Sequence, residues 1–282
     1  MEYIVTKLYS DDYMKKREGK FFTDKNITIF DSDVDIYTDE GEILLKFRKN
    51  VLPEKDCVLL YNNFKGAAKL GATRPNASGI PKEGKYKYIT SKSSGKKLQV
   101  LTTKSRSGIV GFYDTISNFG KVRSKNLNSK INCRETAFTS KHFEKFQECL
   151  PIIKKIDKLY KKLVPKHYKK QKEAINKINN NYKIKDTIFT TVTVNNNFRT
   201  ALHCDSGDFK EGFGNLIVCS DGDYEGSYTM FPQYGVGVDC RHGDFLAMDV
   251  HKWHCNSKMT GKGTRISYVF YMREKMLKTC PK

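Results

Sequence analysis

From residue 186 onward, apolar and polar positions alternate in short runs broken by Gly, Asn and Asp, the period-two pattern of strands with one face buried. This predicts strands over 187–194, 198–203, 215–219, 227–231, 236–240, 245–248 and 264–271. The stretch before them differs. Between 140 and 180, Phe143, Phe146, Leu150, Ile153, Leu159 and Leu163 recur near helical spacing among lysines, and Pro165 interrupts the run. Two amphipathic helices are expected, their apolar stripes against a sheet and their lysines outside. From Gly66 to Gly111, runs such as GATRPNASGIPKEGK and SKSSGKK predict long loops around short strands, well suited to substrate contact. The first 60 residues mix acidic patches with β-like runs such as Ile43 to Phe47 and carry no chemical motif.

Helices followed by seven or eight short strands is the order of a double-stranded β-helix, the jelly-roll core of cupin-like proteins. The expected fold is therefore mainly β with supporting helices. An N-terminal strand-and-turn extension over 1–65 would cap a domain of 66–282, with helical support at 140–180 and the β-helix core at 186–273. A chain of 282 residues can bury a substantial core, and no run of about 18 apolar residues offers a membrane span. The start, MEYIVTKLYSDDYMKK, lacks the order of a signal peptide, so an intracellular monomer is expected. Eight cysteines without a C-x-x-C pair argue against a zinc ribbon or redox dithiol and predict reduced thiols.

The net charge of +20 is confined to two segments. Residues 81–130 carry 12 Lys or Arg against Glu83 and Asp114, and 140–185 carry 14 Lys against Glu144, Glu148, Asp157 and Glu173, so each contributes +10 and the rest balances. A segregated basic surface suits a polyanion, nucleic acid above all, because phosphate contacts carry most non-specific affinity. A lysine-rich solvated helix face is the plainer alternative.

Candidate chemistry lies in the neutral C-terminal block. His203 and Asp205, two residues apart at the end of FRTALHCD, share one face of a predicted strand, and His254 follows in MDVHKWHCN. Two imidazoles and one carboxylate leave half an octahedron open, the arrangement of non-haem Fe(II) oxygenases. An Fe(II) enzyme using 2-oxoglutarate and O2 is the reading this block supports. His251 competes with His254, which is preferred because Arg265 then falls eleven residues later on the following strand. Arg265 and Ser267, on one strand face, can both donate to the distal carboxylate of 2-oxoglutarate. Arg199 shares the parity of His203, and a buried arginine needs an anion: a substrate phosphate or the proximal carboxylate. Asn197, of the same parity, could offer its amide to a base edge. Arg106 and Arg134 are further candidate substrate contacts. Phe112, Tyr113 and Phe119 could form a stacking wall, with ordinary core packing as the alternative for each.

Longer runs carry a resemblance. FTTVTVNNNFRTALHCDSGDFKEGFGNL, GVDCRHGDFLAMDVHKWHCN and CRETAFT together resemble the TET/JBP group of Fe(II)/2-oxoglutarate dioxygenases, compact viral and microbial members included, over about residues 105–273. The resemblance implies a double-stranded β-helix, Fe(II) at His203, Asp205 and His254, 2-oxoglutarate at Arg265, and Arg199, Asp208 and Asn197 as neighbours of the active site. It implies hydroxylation of the 5-methyl group of 5-methylcytosine or thymine in DNA, with release of succinate and CO2. A methyl group stacked in a duplex cannot reach a metal at a barrel mouth, so the base would be flipped out or single-stranded. The chain lacks the cysteine-rich region of animal members and the separate DNA-binding module of the J-binding proteins. DNA would then be gripped by the basic segments 81–130 and 140–185. A protein hydroxylase with the same iron centre and a non-catalytic nucleic-acid-binding barrel are the competing readings.

Overall fold

The computed structural model describes residues 1–71, 74, 76–79, 86–91, 94–101, 105–116 and 131–282. Its strands are β1 (Glu2–Val5), β2 (Thr28–Phe30), β3 (Val34–Thr38), β4 (Ile43–Arg48), β5 (Leu70–Gly71), β6 (Tyr86–Thr90), β7 (Lys97–Leu101), β8 (Ser105–Tyr113) and β9 (Arg134–Glu135). They continue with β10 (Thr191–Asn196), β11 (Gly214–Asp221), β12 (Tyr224–Gly226), β13 (Thr229–Phe231), β14 (Val236–Val238), β15 (Phe245–Met248), β16 (Cys255–Asn256), β17 (Met259–Gly261) and β18 (Thr264–Tyr271). The helices are α1 (Asp11–Lys15), α2 (Glu54–Phe64), α3 (Ala137–Lys141), α4 (Phe143–Leu163), α5 (Pro165–Ile175) and α6 (Met276–Thr279).

Among the described residues, the main sheet runs β1-β3-β4-β15-β11-β18-β10-β8-β5, with β9 paired to β8, and a smaller sheet runs β16-β13-β14-β2. The two faces of β18 explain the layers. Ile266, Tyr268 and Phe270 join Val192 and Val194 of β10 in a core shared with Leu60 and Phe64 of α2, Ile153 and Ile156 of α4, and Ile175 of α5. This is the predicted helical layer behind the sheet. On the other face, Leu216, Val218, Leu246 and Met248 pack on Phe231, Val236 and Val238 of the smaller sheet. The result is a double-stranded β-helix backed by helices. Pro165, expected to interrupt a helix, opens α5 at its first position, where a missing N–H is harmless.

Residues 1–65 are woven into the sheets: β4 pairs with β15 in the main sheet, and β2 with β14 in the smaller one. The strands predicted at 245–248 and 264–271 form with those bounds, as β15 and β18. The strand predicted at 187–194 begins only at Thr191, because the Ile188 N–H is taken by Asp157 of α4 and the Phe189 N–H by the Thr187 hydroxyl. The one predicted at 227–231 begins only at Thr229, after Ser227, which holds φ of 61°. The strand expected at 198–203 does not form. Ala201 N–H donates to Ala77, Leu202 N–H to Lys20, and His203 exchanges both backbone bonds with His254, so this segment draws its partners from three separate places.

The expectation of eight reduced thiols is also corrected. Cys133 and Cys280 form a disulfide, with Cα atoms 5.7 Å apart and a sequence separation of 147, while the other six cysteines are free. A search for short spacings cannot detect a bridge between such distant residues. No helix among the described residues is long and apolar enough to cross a membrane.

Candidate active site

The antiparallel bridge between His203 and His254 sets their rings beside each other, with centroids 4.3 Å apart. The Asp205 N–H bonds the carbonyl of Val250, which turns its carboxylate toward both rings. His203 Nε2 lies 3.6 Å from Asp205 Oδ1, and His254 Nε2 lies 3.9 Å from Oδ2. One ligand atom from each of the three residues falls within 4.8 Å of the others. Each Nδ1 sits 2.9 Å from a backbone carbonyl, that of Ala201 for His203 and of Lys252 for His254. A carbonyl can only accept, so Nδ1 carries the proton and each Nε2 presents its lone pair to the centre.

Electrostatics favour the same state. Burial, reinforced by His254, pushes the His203 ring down to about 3, which keeps it neutral. Burial opposes the charge on Asp205, yet Arg74, at 3.4 Å, holds its carboxyl below the usual carboxylate range. Two neutral imidazoles and a carboxylate are a donor set for a divalent first-row metal. His251, the competing ligand candidate, points its Nε2 to the carbonyl of Phe209 at 3.1 Å and stands outside the cluster.

Arg265 and Ser267 lie on β18, each only 5% exposed. The Nε and Nη2 of Arg265 are buried with no hydrogen-bond partner among the described residues. Leaving charged donors buried and unpaired is costly, so this guanidinium fits an anion such as a carboxylate. Ser267 stands in register with Asn195 of β10, on the same face of β18 as Arg265. Ser107 Oγ donates to Asn195 Oδ1 at 2.7 Å, and Arg74 reaches the same oxygen at 3.5 Å, which ties this face to Asp205.

Beside the cluster opens a cavity of about 550 Å³, lined by His203, Asp205, Asp208, Thr193, Tyr113, Tyr271 and Arg273 among others. Arg273 donates to Asp114 through Nε at 3.0 Å, donates to the Tyr271 hydroxyl at 3.3 Å and lies over the Tyr113 ring at 4.4 Å. Asp208 is bridged to Arg273 through the backbone, and burial, together with the charge of Asp205, raises its carboxyl well above the usual range.

Several expected contacts lie elsewhere. Asn197 adopts φ of 45°, and its side chain is committed to β18: Oδ1 accepts from Arg265 N–H at 2.6 Å and Nδ2 donates to Gly263 O at 3.2 Å. It braces the backbone of Arg265 instead of offering its amide to a base. That left-handed residue also breaks the alternation on which the reading of Arg199 relied. Arg199 turns its Nη2 to the N-terminal segment, donating to Phe22 O at 2.8 Å with its guanidinium over Phe21, while its buried Nε has no partner among the described residues. Arg134 lines a separate cavity of about 300 Å³ with Lys69, Phe138 and His142 and also lies over the Tyr113 ring at 5.4 Å, and Arg106 is exposed on β8. Phe112 is a core residue, edge-on to Phe146 and Tyr182, whereas Tyr113 reaches the cavity. Phe119 lies outside the described residues, as do 81–85, 92–93, 102–104 and 117–130 of the first basic segment. Arg74, Thr193, Tyr271 and Arg273 were missed. The only signal for Arg74 was its place in a Gly-rich loop flagged for substrate contact.

Fold and site together define an oxygenase built on a double-stranded β-helix. Residues 121–274 match the Tet_JBP family, the oxygenase domain of the 2OGFeDO superfamily, and the chain belongs to that family. The superfamily implies Fe(II), 2-oxoglutarate and O2. The chain is 34% identical over 192 residues to the bifunctional helicase and thymine dioxygenase JBP2 of Trypanosoma cruzi (strain CL Brener), covering 67% of this chain and 16% of that protein. It is 35% identical over 172 residues to the thymine dioxygenase JBP1 of Crithidia fasciculata, covering 59% of this chain and 20% of that protein. It thus spans a fifth or less of the length of these relatives. The solved structure of NgTET1 in complex with 5mC DNA shares the fold, with a TM-score of 0.58 at 15% identity over 99% of this chain and 84% of that one.

Proposed function

We propose that this chain hydroxylates the 5-methyl group of a pyrimidine in DNA, with thymine the first substrate to test. The observation that carries the reading is the convergence of His203, Asp205 and His254, together with a buried Arg265 on β18 whose Nε and Nη2 have no partner among the described residues. His203, Asp205 and His254 would hold the iron, and Arg265 with Ser267 would hold the distal carboxylate of 2-oxoglutarate. Iron and 2-oxoglutarate together supply an oxidant that turns a methyl group, O2 and 2-oxoglutarate into a hydroxymethyl group, succinate and CO2.

The protein's share is position and proton state. Nδ1–H bonds to Ala201 and Lys252 fix both imidazoles, and Arg74 keeps Asp205 ionised. A base stacked in a duplex cannot enter the cavity, so the target would be flipped out or single-stranded. Tyr113, with Arg273 over its ring, offers an aromatic face at the cavity wall. Thymine differs from 5-methylcytosine at C4, where it carries an acceptor oxygen in place of an amino donor. Arg273 and Asp208 offer a guanidinium and a carboxyl to read that difference. The two relatives named above as thymine dioxygenases support thymine.

A protein hydroxylase would share the iron centre, but two segments of +10 suit an acidic polymer better than a basic peptide. The test is mass spectrometry of nucleosides from thymine- and 5-methylcytosine-containing DNA incubated with the protein, Fe(II) and 2-oxoglutarate, with peptides in parallel. 5-Hydroxymethyluracil formed with stoichiometric succinate is the expected product. Succinate released with peptides and not with DNA would overturn the reading.

A further inference from the structure

A second cavity adjoins the catalytic one. It holds about 300 Å³ and is lined by Lys69, Ile109, Arg134, Phe138, Lys141 and His142 among others. Ile109 also lines the catalytic cavity, where it stands in register with Thr193 of β10, so one side chain walls both. Tyr113 ties them a second time: Arg134 of the smaller cavity lies 5.4 Å from its ring centre, and Arg273 of the catalytic cavity 4.4 Å. The two guanidiniums are therefore separated by no more than the rise of about three stacked nucleotides at 3.4 Å each.

The smaller cavity occupies a gap at the outer edge of β8. On that edge β5 pairs with Ser105 and Arg106, and β9 with Phe112 and Tyr113, which leaves the stretch between them without a strand on that side among the described residues. Gly111 gives its N–H to the Thr139 hydroxyl at 2.7 Å and takes the Thr136 N–H at its carbonyl, so its backbone faces outward. Successive residues of an antiparallel strand alternate direction, and Ile109, two residues earlier, turns its own N–H and C=O to the same edge. That is one donor and one acceptor beside an aromatic pair, Phe138 and His142, whose ring centres are 5.0 Å apart.

Charge completes the site. Lys69 and Lys141 are exposed at the cavity and Arg134 is half-buried in its wall, while no carboxylate lines it among the described residues. Aromatic rings beside cations, with a backbone donor and acceptor at hand, suit an unstacked nucleotide. The rings take the face of the base, the backbone takes its edge, and the cations take its phosphate. An added peptide strand does not fit the gap, because β5 and β9 close it at both ends.

We propose that this cavity is a second nucleotide site, which takes the base next to the oxidised one on the same strand. The inference rests on DNA as the substrate. Target and neighbour leave the stack together and sit on either side of Ile109. Stacking tolerates every base, so the site adds affinity more than sequence preference.

The test places the target and its two neighbours in an unpaired bubble within one duplex and replaces each neighbour in turn by an abasic site. In the wild type, one of the two abasic sites should raise KM about tenfold, the loss of one stacked base, with kcat unchanged. An abasic site farther along the strand should change neither. His142→Ala should raise KM on the intact bubble and add nothing on that abasic one, the non-additivity of two partners in one contact, while His142→Phe restores the wild-type response. The wild-type scan decides the question even where a variant fails to fold. No effect at either neighbour, or an equal effect of His142→Ala on intact and abasic bubbles, would overturn the proposal while leaving the catalytic reading intact, since the target would still be oxidised. Binding of inorganic tripolyphosphate that Lys69→Ala/Lys141→Ala abolishes, with a flat abasic scan, would make the cavity a free-anion site and also overturn it. A wild type that oxidises no base in the bubble sinks the catalytic reading and this one with it.

Discussion

The buried Nε and Nη2 of Arg265, without a partner among the described residues, make the most direct prediction at the residue scale. Replacing Arg265 with Ala should raise KM for 2-oxoglutarate by about 100-fold, since removing one partner of a buried charge pair costs about 3 kcal/mol. An unchanged KM would show that the co-substrate is held elsewhere. His203 yields a pH prediction. Its folded value of about 3 lies below its ordinary 6.5, so the unfolded chain takes up a proton that the folded chain refuses. Stability of the metal-free protein should therefore fall as pH drops from about 6.5 toward 3. The urea midpoint at pH 7 and pH 5 checks this, and His203→Gln should flatten the dependence. At this scale the sequence reveals residue types and spacing but not orientation. His203, Asp205, His254 and Arg265 stand out because their chemistry has few other uses. Asn197 and Arg199 mislead because parity was counted through a residue with φ of 45°.

Elements were legible where their hydrogen bonds run to regular neighbours. β15 and β18 are central strands of the main sheet, paired on both sides, so short runs of buried residues mark their bounds. The segment 198–203 looks alike in sequence, but Ala77, Lys20 and His254 compete for its backbone. No local pattern encodes that division. A close approach between elements gives a further prediction. A Cβ on Gly108 of β8 would lie 1.9 Å from the carbonyl oxygen of Ala67, in the turn after α2. Gly108→Ala should push that turn from the sheet and destabilise the protein by about 1–3 kcal/mol, as overpacking does. Chemical denaturation measures it, and an unaltered midpoint would mean that the turn yields freely.

For the whole molecule, the order of helices then strands foretold the β-helix, while the interleaving of residues 1–65 with both sheets was hidden because strand pairing across 200 residues leaves no periodic trace. The distant cysteine pair was hidden for the same reason. In chain-entropy terms a bridge closing a loop of this size stabilises the fold by about 5 kcal/mol, so a reducing agent should lower the melting temperature of the metal-free protein. An equal melting temperature with and without reductant would count against the bridge. The same bond has a topological consequence. Cys133 and Cys280 enclose helices α3 to α6, the three candidate iron ligands and Arg265 within one covalent ring. A protease that severs any single peptide bond inside that ring produces no separable fragment: the nicked molecule gains only the mass of one water and travels as one species until a thiol opens it.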